Sequence, residues 1–133
     1  MQTVRVSWTM SSAVDARRAL VSELRALGLD PVVVDESEIV ISELVTNAVR
    51  HAKPLADGKI RVNWSVRAGV VEIEVTDGGG PTVPHPAPRS VWSASGRGLR
   101  IVGSLAHDWG VRENSDGSTV WASMGGPSIR HSA

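Results

Sequence analysis

The sequence predicts an α/β (α+β) two-layer sandwich, in which a mixed, mostly antiparallel sheet is covered on one face by helices. Apolar residues alternate in three short stretches, as in half-buried strands, and recur at helical spacing in three others, with two further strands read near the C-terminal end. The order strand, helix, helix, hairpin, loop, helix, hairpin suits helices packed on one side of such a sheet. At 133 residues, with no internal repeat, the chain is one domain long. The expected division is a single domain over 1–124 and a flexible tail over 125–133.

The first strand is read at Thr3 to Trp8, where Val4, Val6 and Trp8 alternate with Arg5 and Ser7. Ser11 or Ser12 then offers an N-cap. Ala16, Leu20, Leu24 and Leu27 follow at helical spacing, and Gly28 stops the helix. After Asp30-Pro31, Val32 to Val34 reads either as a short extended piece or as the first turn of the next helix, which reaches His51 or Ala52. In that helix Ile41, Leu44, Val45, Ala48 and Ala52 form an apolar stripe, while Glu36, Val40, Glu43, Asn47 and Arg50 or His51 form a second row open to another partner. Pro54 and Asp57-Gly58 break the pattern. Lys59 to Val66 and Val70 to Thr76 alternate on either side of Arg67-Ala68-Gly69, a hairpin with one buried face. Four prolines between Pro81 and Pro88 make the stretch up to Ser95 a long loop, either a lid or a plain surface loop. A short helix opens on the Gly96-Arg97-Gly98 turn, and a last hairpin runs through Trp109 to Glu113 and Ser118 to Met124.

Composition narrows the chemistry. There is no cysteine, which removes disulfides, thiolate metal sites and cysteine nucleophiles. Fourteen basic and fourteen acidic side chains balance, so no general attraction to nucleic acid or an anionic membrane is expected. His51, His85, His107 and His131 are scattered without metal-ligand spacing. No run of residues is long and apolar enough to suggest export or membrane insertion, and a cytoplasmic location is the expectation.

Three short motifs remain. Glu43 and Asn47 lie four residues apart on one helical face. The carboxylate is either an exposed surface group or a base held at a site; the carboxamide oxygen suits Mg²⁺, a hard cation that shares its shell with substrate phosphates. Asp77-Gly78-Gly79-Gly80 ends a strand, either as an exit turn or as a carboxylate that accepts from an amine where glycine lets a ligand come close. Gly96-Arg97-Gly98-Leu99 precedes a helix whose free amides attract anions. It is neither a P-loop nor the dinucleotide fingerprint. Together the three suggest a nucleotide site.

In this order, Glu43 to Asn47 resembles the N-box, and Asp77-Gly78-Gly79 and Gly96-Arg97-Gly98 the two glycine boxes, of the GHKL ATPase superfamily, the histidine kinase-like ATPases. The stretches Ile41 to Ala52 and Gly96 to Val102 are most similar to small anti-sigma-factor serine/threonine kinases and single-domain ATP-binding regulators of actinobacteria. The resemblance implies a Bergerat-type ATP-binding fold that takes ATP and Mg²⁺. It makes Asn47 the Mg²⁺ ligand and Glu43 the general base. Asp77 would accept from the adenine amino group beside Gly79, with Thr119 on the adenine side. Gly96, Gly98, Leu99 and nearby amides would close on the phosphates, with Arg50, His51 and Arg97 as phosphate or partner contacts. Implied partners are a sigma factor and a STAS-type anti-anti-sigma protein, phosphorylated on serine or threonine. A homodimer through the Val4, Val6 and Trp8 edge is also implied, with no direct contact to nucleic acid or membrane. The proline-rich loop is short for a large ATP lid, so the alternative is a non-catalytic binding protein of the same fold that sequesters a partner with weak or no turnover.

Overall fold

A computed structural model of the chain describes residues 2–7, 9, 11–79, 96–114 and 117–125. Strand β1 (Gln2–Ser7) leads to helices α1 (Ser12–Ala26) and α2 (Pro31–His51). Strands β2 (Lys59–Arg67) and β3 (Val70–Asp77) follow, then helix α3 (Gly96–Leu105) and strands β4 (Asp108–Asn114) and β5 (Gly117–Met124). The strands form one sheet in the order β1-β2-β3-β5-β4, and all four pairings are antiparallel. The expected sandwich is present, with a purely antiparallel sheet among the described residues.

The two periodicities meet in the core. Ile60, Val62 and Trp64 from β2, Val71, Ile73 and Val75 from β3, and Val120, Ala122 and Met124 from β5 share one face of the sheet. Leu20 and Leu24 of α1, Ile41, Leu44, Val45 and Ala48 of α2, and Val102 of α3 join them in a single buried cluster. The opposite face carries Asn63, Glu74 and Arg112 beside Trp121, with the Arg112 guanidinium 2.8 Å from a Glu74 carboxylate oxygen.

Local chemistry sets the ends of the helices. Gly28 adopts φ +72°, and the Gly28 and Leu29 amides donate to the Arg25 and Leu24 carbonyls, a Schellman motif that closes α1. Ser11 occupies the N-cap position, yet its hydroxyl bonds Thr9 Oγ1 at 3.0 Å and does not cap the helix. At α2 the Asp30 carboxylate accepts from the Val32 amide at 2.8 Å, and Pro31 supplies the preset φ of a first helical residue. Val32 to Val34 is therefore the first turn of α2, the second of the two readings left open above.

Three details differ from the expectations. The second row of α2 does not remain an outward-facing polar strip: Val40 is fully buried and Asn47 is only 3% exposed, while Glu36, Glu43 and His51 are half-buried and Arg50 is exposed. Both α1 and α3 pack against α2, so less of its surface is free than helix periodicity alone suggests. The glycines of Gly96-Arg97-Gly98 do not precede the third helix as a turn; they are its first turn. The loop of the first hairpin has two residues, Ala68 and Gly69, at φ 51° and 78°, the signature of a type I′ turn.

Alanine is a poor residue for that left-handed position. Ala68→Asn is expected to stabilise the chain by about 1 kcal/mol, because Asn-Gly is the favoured pair for this turn. Urea denaturation would check it, with an unchanged or lower midpoint as the adverse result.

Candidate functional site

The candidate site forms where β3 ends beneath the C-terminal end of α2. Asp77 continues the core-facing alternation of Val71, Ile73 and Val75, and so arrives on the helix side of the sheet, 1% exposed. Two backbone bonds fasten the chain beyond it to the segment leaving α2: the Gly78 amide donates to the Lys53 carbonyl at 2.7 Å, and the Lys53 amide donates to the Gly79 carbonyl at 3.0 Å. This approach requires glycine, since a Cβ on Gly78 would lie 2.1 Å from the Pro54 carbonyl oxygen. Gly79 has a different reason. Its φ of +92° favours glycine, and among the described residues only the Gly117 Cα, 4.0 Å away, lies near a built Cβ.

That turn divides the Asp77 carboxylate into two unlike oxygens. Oδ1 accepts the Gly79 amide at 2.7 Å, as in an Asx turn. Oδ2 is buried and has no hydrogen-bond partner among the described residues. The exit-turn and acceptor readings of Asp77 are therefore compatible, one for each oxygen. Burial pushes its pKa up to about 7, against the lowering effect of the Gly79 amide. An unpaired buried acceptor is costly unless a donor reaches it, so Oδ2 suits a ligand amine or amide.

Asn47 lies one turn before the end of α2 and has the same character. It is buried, and its Nδ2 has no partner among the described residues. Glu43 lies one further turn back, half-buried, on the same side of the helix. Arg50 and His51 occupy the last turn, where the Arg50 charge complements the helix dipole. Among the described residues no group of three or more His, Asp or Glu could hold a metal by itself. An Asn-held Mg²⁺ completed by phosphate oxygens and water does not need one.

The backbone of Gly96 to Leu99 forms the first turn of α3, whose amides have no partner within the helix. At the other end of α3, the His107 amide donates to the Ser123 carbonyl at 2.9 Å and anchors that end to β5. The side chains of Arg97 and Leu99, Gly80 with the Pro81 to Ser95 loop, and Trp8 lie outside the described residues.

Thr119 is not brought to Asp77. In the β3–β5 register Thr119 pairs with Thr76 on the outer face of the sheet, where their hydroxyls lie 2.8 Å apart. Ser118 pairs with Asp77 and shares its face, 6% exposed. Strand alternation alone separates Ser118 from Thr119, but assigning either to Asp77 needs the pairing register.

The family model for the histidine kinase-like ATPase domain matches residues 6–124. The chain belongs to this family. Thirteen chains of solved structures match its fold. One is the crystal structure of the RsbU and RsbW domains of Rv1364c from Mycobacterium tuberculosis, with a TM-score of 0.70 and 22% sequence identity. The match covers 93% of this chain and 32% of that one, so this chain spans about a third of the length of the structure it resembles. A search of curated proteins found no match. In this histidine kinase-like ATPase domain, the helix carrying Glu43 and Asn47 and the strand end carrying Asp77 are tied together by the Lys53–Gly79 backbone pairing. No helix among the described residues is long and apolar enough to cross a membrane.

Proposed function

We propose that this domain binds Mg-ATP and acts as a regulatory serine/threonine kinase that holds a sigma factor and phosphorylates an anti-anti-sigma protein. The observation that carries the nucleotide reading is the buried Asp77 Oδ2, without a partner among the described residues, two residues before Gly79, whose flank is open among them. Asp77 accepts from the adenine amino group, and Ser118 offers a hydroxyl from the same face. Asn47 holds Mg²⁺, which when bound neutralises phosphate charge. The first-turn amides of α3, from Gly96 to Leu99, receive phosphate oxygens, and Arg50, His51 and Arg97 are the side chains available for phosphate or partner contact. Glu43 is the base that takes the proton from the partner's hydroxyl. The family and the fold likeness to a structure that contains an RsbW domain support this reading.

Calorimetry with ATP in Mg²⁺ and in EDTA tests the site. The unaltered domain is expected to bind about tenfold more tightly with Mg²⁺, and Asn47→Ala to lose that difference, within the range seen when metal-site groups are removed. Because Nδ2 of Asn47 is buried and unpaired, the substitution should leave thermal stability nearly unchanged. Absence of ATP binding under both conditions would defeat the nucleotide reading.

β1 is an edge strand with one neighbour, β2, so its outer side is open to pairing with a second copy among the described residues. This supports the proposed homodimer.

A further inference from the structure

Asp77 is a carboxyl group with one oxygen satisfied by the Gly79 amide and the other buried without a donor among the described residues. Among the described residues, its surroundings supply little positive charge. Strand β5 carries no ionisable side chain from Gly117 to Met124. In β2, Arg61 pairs with Thr76 on the outer face and Lys59 is exposed, which leaves apolar Ile60 at the register position nearest Asp77. The ionisable residues of α2 towards this end are Glu43, Arg50 and His51, with Lys53 just beyond; Arg50 and Lys53 are exposed, and Glu43 and His51 are half-buried. Arg100 of α3 is also exposed.

Such a setting favours the neutral acid over the carboxylate. A donor placed against Oδ2 reverses the preference, because an amine hydrogen bonds the ionised oxygen and repels a carboxyl hydrogen. We propose that nucleotide binding at this site is coupled to loss of a proton from Asp77, so that occupancy by an adenine nucleotide is gated by pH across the neutral range. The coupling rests on the nucleotide reading given above. The exchange balances: the carboxyl O–H proton passes to solvent, and the freed carboxylate oxygen accepts the N–H of the adenine amino group, with no other bond made or broken. Below neutrality the nucleotide must displace a proton to bind, and above neutrality it need not.

Carbon-13 NMR of the whole chain, labelled at the aspartate carboxyl carbons, reads the proton on Asp77 itself and is not confused by titration of the nucleotide's phosphates. Asp77→Asn, or backbone-linked assignment, identifies the signal. Without nucleotide its midpoint is expected at about 7. With saturating Mg-ATP the midpoint should fall by more than one pH unit, and affinity should weaken about tenfold from pH 8 to pH 6. A midpoint of about 4 in the free chain, the ordinary aspartate value, or one that saturating nucleotide leaves in place, overturns the coupling while nucleotide binding stands. If Asp77 titrates near neutrality but Mg-ATP fails to bind at any pH, the nucleotide reading fails and the coupling with it.

Discussion

Asp77→Asn is expected to yield a chain that is more stable at pH 8 without nucleotide, yet binds ATP about 10- to 100-fold more weakly. The affinity loss follows from replacing an ionised acceptor by an amide, since hydrogen bonds to charged groups contribute about 1.5–3 kcal/mol. The stability gain has the opposite sign because burial raises the pKa of Asp77 from 3.8 to about 7 in the folded chain. A group raised in this way favours folding most at low pH, and that contribution is lost as pH rises from the unfolded value through about 7. A shift of this size corresponds to a penalty on the order of 4 kcal/mol for the charged form. Asparagine removes the charge and can keep the Gly79 amide as a donor to its own Oδ1, although its NH₂ is left without an acceptor. The net gain at pH 8 should therefore be about 1–2 kcal/mol. Urea denaturation at pH 6 and pH 8 checks the sign. The unaltered chain should weaken between the two and the variant should not; a variant less stable at pH 8 would show that Oδ2 is already satisfied in the free protein.

Part of this site is legible in the sequence and part is not, because local periodicity records which face a residue takes while register and tertiary contacts leave no local pattern. Alternation located Ile60, Val62, Trp64, Val71, Ile73 and Val75 correctly, because a strand with one buried face writes its orientation into every second residue. The Ile41, Leu44, Val45 and Ala48 stripe was legible for the analogous reason at helical period. Gly78 was conspicuous, but its cause, the Pro54 carbonyl against its Cα, is a contact between segments more than twenty residues apart. The choice between Ser118 and Thr119 likewise depends on how β5 pairs with β3, a register that no local pattern contains. Burial of Val40 and Asn47 reflects tertiary packing, with α1 and α3 both resting on α2. Ala68 escaped local reading because its left-handed backbone is imposed by the two-residue connection between β2 and β3, against the preference of alanine.

Glu43→Gln is expected to separate binding from catalysis. Glu43 is half-buried one helical turn from Asn47, the proposed Mg²⁺ ligand, and on a different element from Asp77 of β3, the proposed adenine acceptor. Phosphoryl transfer depends mainly on positioning and charge neutralisation, which Asn47 with its Mg²⁺ and the α3 amides would supply. A base that accepts the hydroxyl proton contributes a further factor of about 10²–10⁴. Glutamine preserves shape and hydrogen bonding but accepts a proton poorly, so affinity for Mg-ATP should change less than about threefold while phosphorylation of the anti-anti-sigma partner falls about 10²–10⁴-fold. Single-turnover transfer from radiolabelled ATP, measured beside calorimetric binding, distinguishes the effects. Equal transfer by the variant and the unaltered chain would remove Glu43 from the base role. If neither transfers phosphate to a cognate partner that both bind, the domain acts by sequestration, with Asp77 and Asn47 retained to make partner capture depend on nucleotide.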